Sequence, residues 1–501
     1  MKSARRSVVL LFSLFLTFAV SLAAEVSLPS VLADHMVIQR GLPVHVWGRA
    51  SEHESITVTF RGETQSTTAD ELGRWSLYLS PGEAGGPFPM TIQGTNTIQL
   101  NDILVGDVWV ASGQSNMEFP MKGLANPDAE IATAQYPKIR IFRTEHRPSD
   151  YPRWDVEAKT WVPCTPESVA ETSAVAYYFA RDIHQKENVP IGLIETFWGG
   201  SAAESWTSLR VLSADASLMP VFAARSKMVE EQETVLLRRA QEEREYQKAV
   251  EQAKTEGKPN PGRKWHPDFA GWAPAAMFNG MIAPLTPFAI RGVIWYQGES
   301  NAGEKAPLYA HLFQTMITDW RRAWDEGDFP FLFVQLANWN TPPDGRWAEV
   351  RDAQRKALAL RNTGMAVAID IGDPVDLHPK NKLDVGLRLA RAARAITYGE
   401  KIEWSGPLYR QLTHEDHALR VWFDHAAGLT AKGEGPLVGF EVAGFDGKYV
   451  AADAKIDGAS VIVSSPSVQD PVSVRYAWAP SPTCNLYNRE GLPASPFQAQ
   501  E

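Results

Sequence analysis

Ser115 stands in Ala111-Ser112-Gly113-Gln114-Ser115-Asn116-Met117, directly after an apolar run that reads as a strand. A nucleophilic serine has to be exposed on a tight strand-to-helix turn, with backbone N–H groups aimed at the oxygen that turns negative. Gly113 permits such a turn, and the N–H of Ser115 or Asn116 is a natural donor. By itself a serine at this position more commonly caps a helix. Its neighbours in space therefore decide whether it is a nucleophile.

Serine chemistry needs a base. Of the 11 histidines, His378 is the best placed: it lies in Asp370-Ile371-Gly372-Asp373-Pro374-Val375-Asp376-Leu377-His378-Pro379, after one strand-like run and just before a helical one. Carboxylates at 370, 373 and 376 are near enough in sequence to orient the ring and stabilise imidazolium. Two further segments, Trp198-Gly199-Gly200-Ser201 and Gln297-Gly298-Glu299-Ser300-Asn301, also follow apolar runs. Glycine lets a backbone N–H approach a substrate oxygen, and amide side chains add donors. Gly200 and Asn301 are the expected oxyanion donors, with Gln114, Asn116 and Gln297 offering further amides to oxyanion or substrate.

The runs that would position these residues are 103–111, 191–196, 292–296, 331–336 and 366–370, several of them apolar on both faces as strands covered on both sides would be. Helix-favouring stretches at 172–187, 309–324, 347–361 and 382–397 alternate with them. That order predicts an α/β fold with a doubly wound parallel sheet, whose ligands bind beyond the carboxyl ends of the strands. Short alternating runs between Gly, Pro and Asn turns give a β-sandwich-like module over 25–101, ahead of an α/β domain over 102–401. A charged helical insertion at about 222–268 reads either as a lid or as a solvated surface hairpin. β character returns over 402–501 as a C-terminal β module.

A basic start (Lys2, Arg5, Arg6), an apolar run at 8–20 and small residues at 21–24 read as a signal peptide over 1–24, which predicts an exported, periplasmic or extracellular protein. The run is short for a spanning helix, which needs ~20 residues, so no stable membrane anchor is expected. The formal charge of −10, from 59 acidic and 49 basic residues without a basic stripe, argues against nucleic acid as a partner. No His-Glu-x-x-His spacing or phosphate loop stands in the chain. Cys164 and Cys484 could pair in an oxidising compartment or stay as two buried thiols; the sequence does not fix the oligomeric state.

Gly113-Gln114-Ser115-Asn116-Met117, Gly199-Gly200-Ser201 with Glu204 and Trp206, Trp295-Tyr296-Gln297-Gly298-Glu299-Ser300-Asn301 and Asp376-Leu377-His378-Pro379 together resemble the sialate O-acetylesterase family, a branch of the SGNH hydrolases that includes related carbohydrate acetyl esterases. The resemblance runs over almost the whole chain after residue 24. It implies cofactor-free hydrolysis of acetyl esters on a carbohydrate, of sialic acid or of a polysaccharide, through an acyl-serine. Ser115 would attack, His378 would take its proton, and Gly200 and Asn301 would hold the oxyanion. SGNH enzymes commonly place the acid three residues before the histidine, and here that position is Val375. Asp376 is the favoured acid, with Asp373 and Glu299 as alternatives. Two other readings are a glycan-binding protein without activity and an esterase for a non-sugar acyl ester.

Overall fold

Thr97–Gly113, a 17-residue strand, changes character along its length. Its first residues alternate between exposed and buried, and from Ile103 onward all are buried. One half therefore belongs to a sheet with a wet face and the other to a sheet covered on both faces. The computed structural model describes residues 25–500 except 265, 267, 343 and 344. The signal peptide expected at 1–24 lies outside the described residues.

Before this strand come β1 (Val37–Gln39), β2 (Val44–Arg49), β3 (Ser55–Phe60), β4 (Glu63–Thr68), β5 (Arg74–Leu79) and β6 (Gly85–Gln93). The long strand is β7. β6 and β1 pair with β7, β3 bridges β6 and β4, and β2 pairs with β5 in a separate ribbon. The domain boundary expected at 101 thus falls inside a single strand. One buried apolar cluster runs from Val26 through the central strands to Ala393.

Beyond β7 follow β8 (Tyr136–Arg143), β9 (Val162–Cys164), β10 (Ile191–Phe197), β11 (Gly292–Tyr296), β12 (Phe331–Gln335) and β13 (Thr363–Val367). They stand in the order β13-β12-β11-β7-β10-β8-β9, with every pair parallel except β8 with β9. The α/β fold with a parallel central sheet is the one expected from the alternation of strands and helices. From β7 the chain first builds one side of the sheet, then returns to the other side of β7 to lay down β11. The order of strands reverses there, and such a switch point opens a crevice at the strand ends. Helices Ala174–Glu187 and Lys382–Ile396 pack on each other, as do Ala306–Trp324 and Trp347–Lys356. The charged stretch folds as two helices, Pro220–Glu230 and Gln232–Thr255. Among the described residues no helix is long and apolar enough to cross a membrane.

The last hundred residues form two four-stranded sheets around a second apolar cluster that includes Val421, Val461, Tyr476 and Phe497. Cys164 and Cys484 are both free thiols. Arg351 ties this module to the central sheet. It is wholly buried, and its guanidinium donates to the carbonyls of Leu336 and Ala337 just past β12 and to those of Ala479 and Pro480. Burial lowers its pKa to about 9. Arg351→Met keeps much of the volume but removes a donor from four carbonyls. Those of Ala337 and Pro480 keep Trp347 Nε1 and the Trp339 N–H, while those of Leu336 and Ala479 lose their side-chain donor, and each buried orphan costs about 1–3 kcal/mol. We expect about 2 kcal/mol or more of destabilisation by urea denaturation; an unchanged midpoint would refute the role given to Arg351.

Candidate functional site

Strand β7 ends at Gly113, whose φ of +133° is a conformation that side chains rarely adopt. A Cβ there would lie 2.2 Å from the carbonyl oxygen of Tyr296. That carbonyl accepts the Gln114 N–H at 3.0 Å, and the Gly113 carbonyl accepts the Trp198 N–H at 3.1 Å. The ends of β7, β11 and β10 are thereby laced together. The chain then turns into a four-residue helix, Ser115–Glu118, with Ser115 at its first position and Gln114 as cap residue. Gln114 gives the helix no side-chain cap, because its Oε1 accepts the N–H groups of Gly298 and Ser300.

The Ser115 Oγ lies 2.8 Å from His378 Nε2. Residues 263 positions apart in sequence thus meet at the strand ends. His378 Nδ1 faces Asp376 Oδ1 at 4.0 Å, longer than a hydrogen bond, while the same oxygen accepts the His378 backbone N–H at 2.8 Å. Burial, followed by the positive charge of Lys382, pushes the His378 pKa below its ordinary value, with Asp376 opposing. Burial also works to raise the Asp376 carboxyl, but the His378 N–H and Lys380 outweigh it and leave the group below the usual range. Asp373 is turned into its own loop, where Oδ1 accepts the N–H groups of Val375 and Asp376. Asp370 pairs with Arg388.

Ser115, Gly200 and His378 line one cavity of about 540 Å³, together with Gln114, Glu299, Trp272, Trp339, Thr341 and Trp347. Among the described residues no acceptor takes the N–H of Ser115 or of Gly200. Gly200 itself has a φ of +74°. Its loop is held from Glu118, whose Oε2 accepts the Gly199 N–H at 2.7 Å and whose Oε1 lies 3.3 Å from His146. The His146 ring stacks on Trp198 with centroids 4.5 Å apart.

The amides expected to face the substrate are mostly turned away from it. Asn301 is buried; its Oδ1 accepts from Ala203 N–H and Gln297 Nε2, and its Nδ2 donates to Glu204. Gln297 is buried as well, donating to the Ser201 carbonyl and accepting from the Tyr309 hydroxyl. These two side chains therefore brace the Gly200 loop. Asn116 likewise points inward, to Glu299 and to the Leu377 carbonyl. Of the expected amides, Gln114 alone lines the cavity. Glu299 gives one carboxylate oxygen to Asn116 at 2.6 Å, and its other oxygen is shielded without a partner among the described residues. Burial raises its pKa.

Sequence reasoning passed over Lys382, Glu118 and the three tryptophans. Lys382 is wholly buried, with Nζ 2.5 Å from Asn116 Oδ1, and burial lowers its pKa to about 7. A lysine at a helix start ordinarily reads as solvated, and its sequence neighbours carry no signal to the contrary.

Known proteins share this arrangement of chain. Residues 262–395 match a family profile described as carbohydrate esterase, sialic acid-specific acetylesterase. The chain is 29% identical to the sialate O-acetylesterase of Rattus norvegicus over 524 residues, covering 94% of each. It is 28% identical to that of Homo sapiens, covering 94% of this chain and 92% of the human one. A solved structure of a carbohydrate acetylesterase from Xanthomonas citri superposes with a TM-score of 0.82 at 37% identity, covering 95% of this chain and 99% of that one.

Proposed function

The chain belongs to the sialate O-acetylesterase family of carbohydrate esterases and hydrolyses O-acetyl esters on carbohydrates, and we propose that it does so through an acyl-serine on Ser115, preferring esters of uncharged sugars. The observation that carries the mechanism is the 2.8 Å contact between Ser115 Oγ and His378 Nε2 at a cavity wall. Ser115 Oγ attacks the acetyl carbonyl while its proton passes to Nε2. The N–H groups of Ser115 and Gly200 receive the oxyanion. Collapse breaks the bond to the sugar oxygen, which leaves with the proton from imidazolium. Water then attacks the acyl-serine with His378 again as base, and acetate departs. Asp376 stabilises imidazolium from the Nδ1 side; closing the 4.0 Å gap by about 1 Å would make the contact a hydrogen bond. Asp373 is occupied in its loop and one Glu299 oxygen is engaged by Asn116, which favours Asp376 as the acid.

The preference for uncharged sugars rests on the walls. The described lining contains no lysine or arginine, and three of its side chains are indoles. Lys380, two residues past His378, pairs with Asp376 at 3.5 Å. The carboxylate of a sialic acid would lose water without gaining a cationic partner, whereas the apolar face of a neutral sugar stacks well on indole. The apolar leader supports action outside the cytoplasm, after export.

Ser115→Ala should abolish hydrolysis of 4-nitrophenyl acetate, and His378→Ala should lower kcat about 10³-fold; wild-type rates in either would sink the assignment. Only neutral imidazole accepts the Ser115 proton, so activity falls as pH drops through the His378 pKa. Because that pKa is lowered, the acid limb of kcat/KM should lie below the ordinary histidine value; a midpoint above pH 7 would contradict the assigned base. On a panel of acetylated glycans, neutral sugars should exceed acetylated sialic acid in kcat/KM by about tenfold or more. The opposite ranking would overturn the preference while leaving the mechanism standing.

A further inference from the structure

Asn116 follows the nucleophile in sequence, yet its side chain reaches the segment that carries the base. Its Nδ2 donates to the Leu377 carbonyl at 3.1 Å, on the residue just before His378, and to Glu299 Oε1 at 2.6 Å. Its Oδ1 accepts from Lys382 Nζ at 2.5 Å. Two segments, the loop after β11 and the connection from β13 into the helix that begins at Lys382, thus converge on one amide.

An amide can be turned end for end at almost no cost in shape. Here its partners decide between the two orientations. An ammonium can only donate, and a carbonyl or ionised carboxylate can only accept. Turning the Asn116 amide would set its NH2 against Lys382 and its oxygen against both Glu299 and Leu377, losing three hydrogen bonds at once. Lys382 is itself placed by the Phe119 and Tyr296 rings, whose centroids lie 5.1 and 5.4 Å from Nζ. With Asn116 and Lys382 buried, the arrangement has no water to replace a lost partner readily.

We propose that Asn116 is a positioning residue whose amide fixes the His378 segment against Ser115, held in its working orientation by Lys382 and Glu299. The inference rests on the reading that Ser115 and His378 act together. Asn116 touches no substrate in this scheme, so its loss appears in kcat and in the reactivity of Ser115 while KM stays.

The test compares wild type, Ser115→Ala, Asn116→Asp, Lys382→Met and the pair Asn116→Asp with Glu299→Gln. It measures kcat and KM on 4-nitrophenyl acetate, the rate of Ser115 phosphonylation by a fluorophosphonate, and thermal melting. Asn116→Asp keeps the shape but replaces the donor with an acceptor. It should lower kcat and phosphonylation about 10²-fold, as a misplacement near 1 Å does, with KM within about threefold. Adding Glu299→Gln restores a donor opposite residue 116 and should recover about tenfold of that loss. Lys382→Met frees the amide to turn and should cost about tenfold in kcat. Wild-type kcat in folded Asn116→Asp overturns the proposal, as does a loss that Glu299→Gln leaves unchanged or deepens, the result expected if Asn116 served the oxyanion or Glu299 were the acid. Should Asn116→Asp not fold, wild-type kcat and phosphonylation in Lys382→Met overturn it. An active Ser115→Ala protein would instead overturn the acyl-serine reading on which it rests.

Discussion

Gly113 places its Cα where the Tyr296 carbonyl leaves no room for a side chain, and the consequences spread outward from that contact. With a Cβ there the ends of β7 and β11 would be pushed apart, and the Gln114 N–H could not reach the Tyr296 oxygen. The crevice at the switch point would widen, and the loop bearing Glu299 would lose the carbonyl-to-amide contact that seats it beside Ser115. A glycine with left-handed φ costs backbone entropy when it is ordered. The parallel sheet covers that cost, since both strands are buried along their full pairing.

The short helix that follows joins loops more than it builds a helix. Ser115 meets His378, Asn116 meets Leu377 and Glu299, and the Met117 carbonyl accepts the Ser173 hydroxyl at 2.5 Å. Glu118 takes the Gly199 N–H. Four consecutive residues therefore hold four separate parts of the chain, and the cavity walls are set relative to the serine by these side chains. Such a short helix gains little from its own hydrogen bonds, so its conformation depends on the loops it joins.

Much of this was legible because the central strands are buried on both faces and read as unbroken apolar runs, as in Gly292–Tyr296 and Phe331–Gln335. Helices such as Lys382–Ile396 were visible through their periodic apolar stripe. β8 escaped notice because Lys138, Arg140 and Arg143 interrupt its apolar residues, although Arg140 is buried against Asp102. The meeting of Ser115 and His378 was anticipated from strand ends and family likeness. The orientation of amides was not, because residue type at a loop position says nothing of whether the side chain looks into the cavity or back into the frame. Asn301 and Gln297 look back, toward Ala203 and Ser201. The buried Lys382 and Arg351 were opaque for a related reason: their partners are mostly backbone carbonyls and an amide, which leave no complementary charge to find nearby in sequence.

The bonds between Arg351 and the carbonyls of Ala479 and Pro480 also bear on the cavity. Trp339 stands in the cavity wall, and its N–H donates to the Pro480 carbonyl. The backbone of this wall residue is thus anchored on a segment of the C-terminal module, which Arg351 in turn ties to the central sheet. A module that contributes neither Ser115 nor His378 thereby helps to fix one wall of the cavity they share.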